Sequence, residues 1–97
     1  MSALKETAFS EFKTGQLTVG ETAVQLATSP TRLYRGVTIV ADESNSGTVV
    51  VGNSNHVTTS TGFPLLAGES VTVNVDDAAK VWLIADDTDQ LVKFMGN

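Results

Sequence analysis

The stretch Thr48–Val75, TVVVGNSNHVTTSTGFPLLAGESVTVNV, decides the fold. It opens on Val49-Val50-Val51 and closes on Ser70, Thr72 and Asn74 alternating with Val71, Val73 and Val75. Branching at Cβ restricts χ1 and suits pleated backbone, so both ends read as strands. The closing run has one dry face and one wet face, as in an antiparallel sheet with one side in water. Between them Gly52, Asn53, Gly62, Pro64 and Gly68 carry turn chemistry, with Val57–Ser60 a possible short strand.

Working outward, the same period of two recurs. Leu17 and Val19 alternate with Gln16 and Thr18; a Gly20-Glu21 turn leads to Thr22, Val24 and Leu26. Ser29-Pro30-Thr31 breaks the pattern, because proline lacks the donor a central strand needs. Leu33 to Ala41 reads as one long strand, interrupted by Arg35 and Gly36 in the manner of an edge or a bulge. The polar loop Asp42–Gly47 before Thr48–Gly52 is the strongest hairpin signal. Past Asp76-Asp77, Lys80–Ala85 places Val81, Leu83 and Ala85 opposite Trp82 and Ile84, and Asp86–Asp89 turns the chain into Gln90–Met95. Some seven or eight strands about ten residues apart predict an all-β fold, an antiparallel β-sandwich of jelly-roll-like kind, over residues 14–97.

Residues 1–13 differ in kind. Leu4, Ala8 and Phe12 recur at helical spacing behind a cap at Ser2, which predicts a short N-terminal helix or arm. So short a helix is marginal alone and must lie on something. It either covers the open end of its own sandwich or packs Phe9 and Phe12 on a neighbouring copy.

At 97 residues the chain is one domain, burying roughly two-thirds of the surface its unfolded form exposes. No apolar run reaches the ~18 residues of a spanning helix, so no membrane contact is expected. Scattered charge in MSALKETAFSEFK argues against a secretory leader. With no cysteines there is no disulfide framework and no thiolate metal site. A net charge of −5, with six basic residues in no dense run, argues against nucleic-acid binding.

The chemistry is sparse, and neither catalytic residues nor a cofactor is expected. His56 is the sole histidine, and neighbouring Ser54 lacks the G-x-S-x-G elbow that presents a nucleophile. Asp86, Asp87 and Asp89 offer carboxylates but lack the order of an EF-hand loop, so they read as a solvated turn rather than a calcium site. Gly52-Asn53-Ser54 is followed by no lysine or helix start and makes no phosphate cradle.

Apolar excess remains. Val49-Val50-Val51 and Val81-Trp82-Leu83-Ile84 carry apolar side chains on both faces, and such strands need cover on both. A second copy or a larger assembly supplies it, or loops of the same chain cap the sandwich. Phe63, Leu65 and Leu66 form a second apolar patch.

The run from Val49 to Asn97 resembles the C-terminal half of small structural proteins encoded by tailed bacteriophages. The shared pattern is V-x-V-G-x-S-x-V (Val49, Val51, Gly52, Ser54, Val57), then G-F-P-L with G-E-S (Gly62 to Leu65, Gly68 to Ser70), an aspartate turn and K-V-W-L-I (Lys80 to Ile84). The pair Asn55-His56 stands where one residue is usual and lengthens that loop. The resemblance covers about half the chain and implies a jelly-roll-like sandwich in a virion. Such modules resemble capsid cement or decoration proteins, often trimers on the shell exterior, and similar modules occur in tails and fibres; the expected partners are further copies in a homotrimer and the major capsid protein or another virion protein. The interface expected from the residues comprises Phe9, Phe12, Phe63, Leu65 and Trp82. The competing expectation is a tail- or fibre-associated carbohydrate- or receptor-binding module, in which Trp82, Tyr34 and loop aspartates meet a sugar.

Overall fold

The computed structural model describes residues 12–97. Its strands are β1 (Lys13–Val19), β2 (Val24–Gln25), β3 (Val37–Ala41), β4 (Val49–Gly52), β5 (Phe63–Leu65), β6 (Ser70–Val73), β7 (Trp82–Ala85) and β8 (Gln90–Gly96), with one 3-10 turn at Ala78–Lys80. They form two four-stranded antiparallel sheets, ordered β1-β8-β3-β6 and β2-β7-β4-β5, packed as a β-sandwich. The expected helix on residues 1–13 lies, up to residue 11, outside the described residues; Lys13 already pairs with Gly96 and opens β1.

The strand pairings are nested along the chain. β4 pairs with β5, β3 with β6, β2 with β7 and β1 with β8, all antiparallel. Lateral pairs β3–β8 and β4–β7 complete the two sheets. Only β4 and β5 are sequence neighbours that pair directly.

Two expectations are thereby corrected. The loop 42–47 closes no hairpin, and neither does the Gly20-Glu21 turn, because β3 and β4, like β1 and β2, lie in opposite sheets. The loop spends its polar groups elsewhere. Asn45 Nδ2 donates to the Leu91 carbonyl at 2.9 Å while Asn45 Oδ1 accepts from Leu91 N–H at 2.8 Å, so the side-chain amide stands in for a neighbouring strand. Gly47 N–H donates to Gln90 Oε1 at 2.7 Å, and Gln90, only 2% exposed, is the one buried polar residue among those described.

The long strand expected over Leu33–Ala41 starts only at Val37. Gly36 sits at φ 92°, a left-handed conformation that side chains rarely adopt, and turns the chain just before the ladder begins. Residues Val57–Ser60 form turns, with Thr61 N–H bonded to the Thr58 carbonyl at 3.1 Å, not a strand.

Alternation is otherwise as read. Val81, Leu83 and Ala85 face inward and are buried, while Trp82 and Ile84 face out and are half-buried. Val37, Ile39 and Ala41 from one sheet meet Val49, Leu65 and Leu83 from the other, and Val19 and Val92 complete the core. Gly15 is there for space: a Cβ would stand 2.6 Å from Cζ of Phe94, the residue opposite it on β8.

Candidate interaction surfaces

The outer face of the β1-β8-β3-β6 sheet is built of two cross-strand rows. Thr14, Met95, Thr38 and Thr72 form one, and Gln16, Lys93, Val40 and Ser70 the other, with Thr18 opposite Leu91 beyond them. The Thr38 and Thr72 hydroxyls are 2.9 Å apart and hydrogen-bonded. This face is mostly polar and stands in water, with one exception. At its end Phe12, 62% exposed, and Met95, 53% exposed, line a hollow of about 340 Å³ together with Arg35, Thr38 and Thr72.

The outer face of the β2-β7-β4-β5 sheet is apolar. Val50 lies between Ile84 and Pro64, and Trp82 between Gln25 and Gly52. Loop 53–62 folds back over it. Val57 fills the space that the missing side chains of Gly52 and Gly62 leave open: a Cβ at Gly52 would overlap Val57 Cγ2, and one at Gly62 would stand 2.9 Å from the same atom. Val50 is thereby buried to 1% and Val57 to 8% exposure, a pair apart from the central cluster. Of the two covers expected for the valine run, another copy or a loop of the same chain, the structure supplies the loop at this position.

The expected interface residues do not converge. Phe9 lies outside the described residues. Phe12 lines the hollow on one sheet, Phe63 is exposed on the edge strand β5 of the other, and Trp82 is half-buried on that sheet's outer face. Leu65 is a correction: opposite Val49 it points into the core at 1% exposure and offers no surface. Its neighbour Leu66 is the exposed one, at 57%. Met95 went unread because a lone methionine among Lys93, Phe94 and Gly96 carries no pattern of its own.

Tyr34 is exposed with the Arg32 guanidinium 5.7 Å from its ring centre, a cation–π contact. It lines a hollow with Leu33 and Asp76, whereas Trp82 lines another with Asn53 and Lys80. The two rings therefore form no common sugar platform.

Most of the aspartates are occupied by local structure. Asp77 accepts from Thr31 N–H and Ala79 N–H, both at 2.9 Å, capping the 3-10 turn and clipping it to the β2–β3 connection; these bonds hold its carboxyl below the ordinary value of 3.8. Lys80, 2.8 Å from Asp76, lowers that carboxyl and is itself raised. Asp42 is lowered by the Ser44 hydroxyl and amide, then by Lys93. Asp86 accepts from Thr48 N–H, and Asp87 from the Ser46 hydroxyl and Thr88 N–H. The aspartate cluster thus ties turns 42–48 and 86–90 together, and among the described residues no three His, Cys, Asp or Glu side chains converge as a metal requires. Ser54 Oγ accepts from His56 N–H at 3.2 Å, a turn contact.

No protein-family model, no curated protein and no solved structure matches the chain, so the functional reading rests on its own surfaces and on the pattern of its residues.

Proposed function

We propose that the protein is a virion structural protein, a cement or decoration module that binds the exterior of an assembled capsid shell, and that its sandwich is a jelly roll. The strand orders β1-β8-β3-β6 and β2-β7-β4-β5 support the second part, being what a rolled eight-strand ribbon produces. The observation carrying the first is the Phe12–Met95 hollow, an apolar break in a largely polar sheet face. Phe63 and Leu66 supply a second contact on the opposite sheet's edge. A net charge of −5 suits an outer surface away from packaged nucleic acid.

The mechanism is linkage. A ligand that binds only the assembled lattice stabilises it by mass action, by about 2.7 kcal/mol per site at a hundredfold excess over Kd. Co-sedimentation with empty phage shells tests it. The full chain pellets with the shells, and Phe12→Ser with Met95→Ser weakens binding at least tenfold while the circular dichroism of the sandwich is retained. Undiminished binding by that folded variant, or no binding by the full chain, rejects the assignment. The separate settings of Tyr34 and Trp82 weigh against the sugar-binding alternative.

A further inference from the structure

Among the described residues, strand β1 is the longest sheet edge, and no strand pairs with its free side. It pairs with β8 alone over Lys13–Val19, and among the described residues no other backbone hydrogen bond reaches it. In an antiparallel pair every second residue points its N–H and C=O away from the partner, so β1 presents a row of unpaired groups. The other edges are poorer templates. β2 has two residues, β6 has four, and β5 has three with Pro64, which donates nothing. In β1 there is no proline, and the sole charge, Lys13, stands at its start.

We infer that β1 is a self-association edge: two copies pair β1 to β1 in antiparallel fashion about a two-fold axis at Gln16, joining two four-stranded sheets into one continuous sheet. The occupant follows from the strand's self-complementarity. With Gln16 opposite Gln16 of the second copy, all seven residues are matched. On the outer face Thr14 meets Thr18, a favourable cross-strand pair. On the inner face Gly15 meets Leu17, and Lys13 meets Val19, so no charge meets its like. Leu17 and Phe94 pack on the core yet stay half-exposed beside this edge, and the pairing covers them. A two-fold contact also closes on itself, the commonest solution for identical chains.

This contact goes beyond shell binding and does not rest on it; it replaces the three-fold arrangement expected from the sequence with a dimer. The test is sedimentation equilibrium of the full chain. Twice the chain mass is expected for the native protein. Thr14→Glu with Thr18→Glu places like charges opposite each other across the axis and gives single-chain mass, with the fold preserved because both glutamates lie near Lys93 of the same chain. Thr14→Glu with Thr18→Lys carries as many changes at the same sites, pairs opposite charges across the axis, and restores the doubled mass. A native monomer, a native trimer, or a dimer indifferent to these charges overturns the proposal. A trimer that still binds shells would leave the functional reading standing.

Discussion

The two outer faces of the sandwich solve the same problem in opposite ways. On the β1-β8-β3-β6 sheet, outward positions are largely Thr, Ser, Gln and Lys, and water covers them. On the β2-β7-β4-β5 sheet they are Val50, Ile84 and Trp82, and a loop of the chain lies over Val50. The difference teaches that an apolar run on both faces of a strand demands cover but does not say whose. Here the cover is local, since Val57 reaches Val50 through the space at Gly52 and Gly62. What is left apolar in water is elsewhere, at Phe12, Met95, Phe63 and Leu66.

Gly62→Val should break the contrast most. Its side chain would enter the space held by Val50, the Val51 carbonyl and Val57, lifting the loop. A loss of about 3 kcal/mol in urea unfolding is expected; a change near zero would mean that the loop does not bear on Val50. Val57→Ala comes next. Removing two buried methyl groups at roughly 0.8 kcal/mol each costs about 1.6 kcal/mol, measured by the same titration. On the bare face, Thr38→Val removes the bond to Thr72 in the presence of water and should shift stability by no more than about 0.5 kcal/mol. Equal effects for Val57 and Thr38 would erase the distinction between the faces.

Much of this was legible from the chain alone. The alternation in Lys80–Ala85 separated Val81, Leu83 and Ala85 from Trp82 and Ile84, because a period of two maps directly onto the two faces of a strand; that the first set is the buried one came from the structure. Leu65 was expected on the surface and is buried, whereas Leu66 is exposed, since alternation says that one leucine points in and the other out without saying which. Pairing of Leu65 with Val49 decides it. Nor was the role of loop 42–47 legible: polar composition marks a loop, but hydrogen bonds from Asn45 to Leu91 join residues 46 positions apart.

The sequence by itself determined that the chain is all-β and where most of its strands and corners fall. Those properties are local, carried by Cβ branching, the period of two, and the placement of glycine and proline. Only the tertiary structure decided which strands are neighbours, that consecutive strands mostly cross between sheets, and which apolar residues remain in water. The physical reason is that backbone N–H and C=O groups are the same at every residue. Ladder partners are therefore chosen by the packing of the whole sandwich, through contacts between residues far apart in the chain.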